Sequence, residues 1–172
     1  MRTSSRSAAV VVTALTVLSL PPTASAQTTA SAQAAVASAG PGRAYVNGAT
    51  GMCLAVGRGE VKAAKPVIQW PCTGGKEQRW IHRPDRRLVN VKTGLCLAIG
   101  RGEKKKGKVA IQWPCTDGGL AQQWIYNDDH LERLQNRATG MCLAIGSGEK
   151  RKGKKAIQWP CKFTSEQAWL ER

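Results

Sequence analysis

Acidic side chains are scarce in this chain, with 11 Asp and Glu against 26 Lys and Arg. No pair of acids recurs along it, and Asp128-Asp129 stands alone. Histidine occurs only as His82 and His130, at positions that do not repeat. No Cys-x-x-Cys is present, which argues against a metal site. Nucleophile elbow, His-Glu-x-x-His and phosphate loop are all missing. The reading is therefore no metal, no cofactor and no enzyme. Beyond residue 20 no apolar run is long enough to cross a bilayer. No segment sustains a helical period, which argues against a helical domain. Phe occurs once and Tyr twice, so six Trp supply most of the aromatic content.

What is present is a threefold repetition. Gly51–Trp80, Gly94–Trp124 and Gly140–Trp169 are three copies of one pattern, with Cys53, Cys96 and Cys142 spaced 43 and 46 residues apart. Such a period marks repeated supersecondary units packed on one another. Upstream, Arg2 and Arg6 precede an apolar run from Ala8 to Leu20 and the small-residue site Ala24-Ser25-Ala26. That pattern reads as a secretory signal peptide over 1–26, cut after Ala26. No cysteine at the cut offers a lipid anchor, so a soluble extracellular product is expected. Residues 27–42 are small, nearly uncharged and aperiodic, and read as a flexible tail. The remaining 43–172 form one domain, with repeats of approximately 43–84, 85–130 and 131–172. Without Arg2 and Arg6 the chain holds 24 basic and 11 acidic groups, a net of +13. That balance favours anionic partners.

The six cysteines fall into pairs 19 residues apart: Cys53 with Cys72, Cys96 with Cys115, and Cys142 with Cys161. In an exported chain an even count implies disulfides. Of fifteen connectivities, the repeat favours the one in which each unit closes on itself. Short β-branched and aromatic runs, such as Cys53–Val56 and Val67–Trp70, alternate with Gly- and Lys-rich turns. These predict an all-β fold of about four short strands per unit. Val46-Asn47, Val89-Asn90 and Gln135-Asn136 provide a shared lead-in to each first cysteine.

Each unit also ends in Gln-x-Trp: Gln78-Arg79-Trp80, Gln122-Gln123-Trp124 and Gln167-Ala168-Trp169. With Cys-Leu near the start and Trp-Pro-Cys in the middle, these residues resemble the ricin-type β-trefoil lectins over 43–172. The resemblance suggests a secreted, bacterial-type, single-domain member. It implies a six-stranded barrel capped by three hairpins, with internal pseudo-threefold symmetry. The symmetry is internal, so a monomer is expected. The resemblance further implies sugar binding in one shallow pocket per unit, through a carboxylate, an aromatic platform, an Asn and the Gln of Gln-x-Trp.

Carried onto this chain, the sugar-binding candidates are Trp70, Gln78, Trp113, Gln122, Trp159 and Gln167. The carboxylate position holds Ala55, Ala98 and Ala144. The Asn position holds Glu77, Ala121 and Glu166. The sugar-facing position of the third strand holds Ile68, Ile111 and Ile157, with Gln69, Gln112 and Gln158 beside them. The usual galactose grip is therefore missing from every unit, although Glu77 and Glu166 are substitute acceptors. Trp80, Trp124 and Trp169 are expected in the core.

Basic residues concentrate between the paired cysteines: Arg58, Lys62 and Lys65; Arg101, Lys104, Lys105, Lys106 and Lys108; Lys150, Arg151, Lys152, Lys154 and Lys155. With Glu60, Glu103 and Glu149, the loops carry +2, +4 and +4. They are the anion-binding candidates, expected as a triangle of cationic turns at the capped end. The bland alternative is a set of solvated turns. The partner so implied is a glycan or other anionic polymer; no nucleic-acid motif accompanies the charge. The function expected is a non-catalytic carbohydrate-binding module for an extracellular or cell-surface glycan, with an anionic one among the candidates. The competing expectation is an adaptor subunit of a secreted assembly, such as a toxin particle, docking through the 27–42 tail or the basic loops.

Overall fold

The structure, a computed structural model, describes residues 42–127 and 132–172. The leader, all of the tail except Gly42, and Asp128, Asp129 and His130 lie outside the described residues. Each repeat contributes four strands: β1 (Arg43–Asn47), β2 (Cys53–Val56), β3 (Val67–Trp70) and β4 (Arg79–His82); β5 (Leu88–Asn90), β6 (Cys96–Ile99), β7 (Ala110–Trp113) and β8 (Trp124–Asn127); β9 (Arg133–Asn136), β10 (Cys142–Ile145), β11 (Ala156–Trp159) and β12 (Trp169–Glu171). Strands β1, β4, β5, β8, β9 and β12 form the barrel. Antiparallel ladders join β12 to β1, β1 to β4, β4 to β5 and β8 to β9. The bridges Arg87–Gln123 and Arg133–Ala168 complete the ring. Closure leaves no open sheet edge in this ring.

The hairpins β2–β3, β6–β7 and β10–β11 form the cap, in the same register each time: Cys53 opposite Trp70, Cys96 opposite Trp113, Cys142 opposite Trp159. The disulfides Cys53–Cys72, Cys96–Cys115 and Cys142–Cys161 close each unit on itself, with Cα atoms 5.1, 5.2 and 4.9 Å apart. In the chain-entropy picture, closing a loop of this size stabilises by about 3 kcal/mol.

The core repeats three times as well. Tyr45, Leu88 and Leu134 point inward from the first strand of each unit, and Leu54, Leu97 and Leu143 from the second. Trp80, Trp124 and Trp169 fill the space between them. Each indole N–H donates to the carbonyl of the capping-hairpin leucine, at 2.9, 2.9 and 3.0 Å. A buried indole needs such a partner, and here it ties barrel to cap. Tyr45 and Tyr126 meet edge to face at 5.8 Å.

The lead-in asparagines are buried and join the strands of different elements. Asn47 donates to Glu166 O and Ala168 O, Asn90 to Glu77 O and Arg79 O, and Asn136 to Ala121 O. Their Oδ1 atoms accept backbone N–H groups from the turn that follows. The Asn-x-x-Thr-Gly pattern thus builds the turn before each first cysteine and fixes it to the Gln-x-Trp turn.

Candidate functional site

Strand alternation decides what the third strand of each unit exposes. In β3, Val67 and Gln69 are buried while Ile68 and Trp70 face outward; β7 and β11 repeat this with Ile111 and Trp113, and Ile157 and Trp159. The indoles of Trp70, Trp113 and Trp159 are 42, 43 and 38% exposed, a large apolar surface to leave in water three times over.

Each of these tryptophans borders a pocket. In the first unit, Ala55, Ile68, Trp70, Glu77 and Gln78 line a space of about 660 Å³ with Arg58 and Lys65 at its edge. In the second, Ala98, Ile111, Trp113, Ala121 and Gln122 line about 580 Å³ with Arg101 and Lys108. In the third, Ala144, Ile157, Trp159, Glu166 and Gln167 line about 260 Å³, with Ser147 where the others carry Arg. The three alanines and three isoleucines therefore stand on the pocket walls, as the repeat alignment expects. Pockets one and three hold one carboxylate each, Glu77 and Glu166; pocket two holds none.

The Gln-x-Trp glutamines lie beneath this surface. Gln78 Nε2 donates to Pro71 O at 2.8 Å and its Oε1 accepts from Thr73 N at 2.8 Å. Gln122 makes the same pair of bonds with Pro114 O and Thr116 N, and Gln167 with Pro160 O and Lys162 N. At 1, 3 and 1% exposure they are closed off from solvent. These bonds hold the Trp-Pro-Cys segment in place, and the same three side chains stand at the inner side of the pockets. Trp and Ile, with Glu77 and Glu166 in pockets one and three, form the more exposed wall.

A second set of glutamines, one residue before each exposed tryptophan, carries an arrangement that the repeat alignment did not reveal. Gln69 Nε2 donates to Glu149 O and Arg151 O in the third unit, at 2.7 and 2.9 Å. Gln112 donates to Glu60 O and Lys62 O in the first unit. Gln158 donates to Glu103 O and Lys105 O in the second. Backbone bonds follow the same hand-over: Gly153 N to Gln69 O, Ala64 N to Gln112 O, and Gly107 N to Gln158 O. Each basic loop is therefore moored on the next unit round the ring. Only the threefold identity of Ile-Gln-Trp hinted at this, since a glutamine on the inward face of a strand must find buried partners.

Within the loops, Glu60 pairs with Lys65, Glu103 with Lys108, and Glu149 with both Lys154 and Arg151. Hydrogen bonding from Lys65, Lys108 and Lys154 holds these carboxyls below the usual glutamate range. Arg58, Lys62, Arg101, Lys104, Lys105, Lys106, Lys150, Lys152 and Lys155 make no ion pair among the described residues. Lys65, Lys108, Lys154 and Arg151 are thus neutralised locally, and the other nine loop cations are not.

Residues 42–169 match the model of the ricin-type beta-trefoil lectin domain. A search of curated proteins returned no match. A designed threefold-symmetric protein, ThreeFoil, is 25% identical with a TM-score of 0.70, over 76% of this chain and 97% of that one. An exo-β-1,3-galactanase from Clostridium thermocellum is 26% identical with a TM-score of 0.67, over 76% of this chain but only 30% of that enzyme. The C-half of an earthworm R-type lectin in complex with GalNAc shares the fold at 12% identity and a TM-score of 0.64, over 76% of this chain and 96% of that one. With the family model matching most of its length, the chain belongs to the ricin-type beta-trefoil lectin domain family.

Proposed function

We propose that this protein is a secreted, non-catalytic carbohydrate-binding module for an acidic extracellular or cell-surface glycan. The observation that carries the reading is the outward indole repeated at equivalent places in three pockets, each backed by an apolar wall. An indole face takes the apolar face of a pyranose ring, and polar neighbours at the rim orient it. The family relation supports sugar binding, and the earthworm lectin on the same fold was solved with GalNAc. Ala55, Ala98 and Ala144 remove the usual carboxylate from all three walls, which disfavours plain galactosides. The free cations around the cap favour uronate or sulfate groups instead. Three weak sites on one body suit a polymer, whose second contact is gained at high effective concentration.

The loss of that carboxylate in every unit also favours the second reading, an adaptor that docks a protein partner with the same face. The discriminating test is retention of the purified protein on immobilised polygalacturonate, dextran sulfate and a neutral galactan. Retention on an acidic polymer, lost when Trp70, Trp113 and Trp159 are all replaced by Ala, supports the module. No retention on any of the three refutes it and leaves the adaptor.

A further inference from the structure

The mooring of each loop on the next unit has a consequence for where an acidic ligand sits. Gly153, which follows the tip Lys150-Arg151-Lys152, lies against Trp70: a methyl group on it would stand 3.7 Å from the Trp70 ring. Likewise a methyl group on Gly107 would stand 3.8 Å from the ring of Trp159. Both glycines have φ of +76°. The bare backbone of one unit's loop is thus packed on the indole of another unit. At Trp113 the equivalent residue is Ala64, which also adopts positive φ and bonds to Gln112 O.

The loop tips differ in charge. Next to Trp159 the tip is Lys104-Lys105-Lys106, all exposed and none ion-paired among the described residues. Next to Trp70 it is Lys150-Arg151-Lys152, exposed, with only Arg151 paired, to Glu149. Next to Trp113 it is Val61-Lys62-Ala63, with a single cation.

Resting on the glycan reading above, we infer that the acidic-sugar sites are composite. One unit supplies the stacking indole and the preceding unit round the ring supplies the cations. Trp70 works with the third loop and Trp159 with the second, and these two are the sites for a uronate or sulfate ester. Trp113 has only Lys62 at the neighbouring tip, so no such cluster reaches it from the preceding unit. Neighbours in sequence would instead pair Trp159 with the third loop, so the two assignments are separable.

The test is a set of double-mutant cycles read as affinity for dextran sulfate, polygalacturonate and neutral dextran. One tip variant carries Lys150→Ser, Arg151→Ser and Lys152→Ser; the other carries Lys104→Ser, Lys105→Ser and Lys106→Ser. Each is combined with Trp70→Ala, Trp113→Ala or Trp159→Ala. Each tip variant is expected to weaken binding of both acidic polymers about tenfold at low salt, as exposed ion pairs of this kind permit. The third-loop variant should be non-additive with Trp70→Ala and additive with Trp159→Ala; the second-loop variant should show the reverse. Coupling within units, or equal coupling to all three tryptophans, overturns the inference while the glycan reading stands. Equally tight, tryptophan-independent binding of a single-stranded polynucleotide also overturns it, because the tips would then serve any polyanion. Failure of the unmodified protein to bind any polysaccharide removes the glycan reading and this inference together. The tip substitutions are on the surface and should leave the urea midpoint unchanged, while the Trp→Ala variants are compared under conditions where circular dichroism shows them folded.

Discussion

Replacing Gln158 with Leu tests how the cationic loops are held. The side chain is fully buried and donates to Glu103 O at 2.7 Å and Lys105 O at 2.9 Å. Each such bond contributes about 0.5–1.5 kcal/mol net; leucine loses both but also removes Oε1, which is buried without a partner, so the net cost is roughly 1 kcal/mol. Leucine matches the volume closely, so no cavity term is added. With a urea slope of about 2 kcal/mol per molar, the unfolding midpoint should fall by roughly 0.5 M. Gln158→Glu is harsher, because a carboxylate there only accepts and faces two carbonyl oxygens. An unpaired buried charge costs about 3–5 kcal/mol. Burial raises the folded-state pKa of that new carboxyl above its unfolded value of about 4.3. The protonated form is therefore favoured in the fold, and the variant loses stability as pH rises from that value. The assay is urea unfolding of both variants at pH 4.5 and pH 8. A Leu variant within about 0.3 kcal/mol of the parent, below the range for a lost bond, would refute the mooring of the loops. So would a Glu variant as stable at pH 8 as at pH 4.5.

Other expectations follow from the same contacts. Ala64 holds a left-handed backbone that its counterparts Gly107 and Gly153 adopt freely, so Ala64→Gly should stabilise by up to about 1 kcal/mol in the same assay. Removing one disulfide as Cys96→Ser with Cys115→Ser should cost about 3 kcal/mol, read as a lower thermal midpoint without loss of the β signature. Glu60, Glu103 and Glu149 have carboxyls held low by their lysine hydrogen bonds. Whatever these pairs add to stability is therefore present above the ordinary carboxylate value of about 4.3 and lost as pH falls through the lowered one. Affinity for a sulfated polymer should accordingly stay level from pH 5 to 8. It should strengthen at more acid pH, as the lysines are released from neutral glutamates. A fall in affinity there would contradict the pairing.

Much of the architecture could be read from repetition alone. Three Cys-Leu, Trp-Pro-Cys and Gln-x-Trp signatures in step define three units, their disulfides and the burial of Trp80, Trp124 and Trp169. The alternation in Ile-Gln-Trp likewise separates an outward indole from an inward amide. What repetition could not show was which unit each inward glutamine meets. Gln69, Gln112 and Gln158 donate their amide N–H groups across unit boundaries, and a pattern confined to one repeat carries no record of contacts between repeats. The same limit applies to the loops: their charge was legible, but their place beside a neighbour's tryptophan depends on the ring closing. The glutamines of Gln-x-Trp show the converse. Their sequence position was compatible with ligand contact and with pinning the turn, and the backbone of the Pro-Cys segment takes up their hydrogen bonds.

The central claim is that the three exposed indoles bind an acidic glycan with help from the cationic tips. Its most direct test is calorimetric titration of the purified protein with polygalacturonate and dextran sulfate at low and high salt, beside the variant in which Trp70, Trp113 and Trp159 are all Ala. The account predicts binding that weakens with salt, because exposed charges are screened within about 10 Å at 0.1 M. It also predicts near-complete loss in the triple variant under conditions where circular dichroism shows that variant folded. Undiminished binding by the triple variant, or binding indifferent to salt, would contradict it.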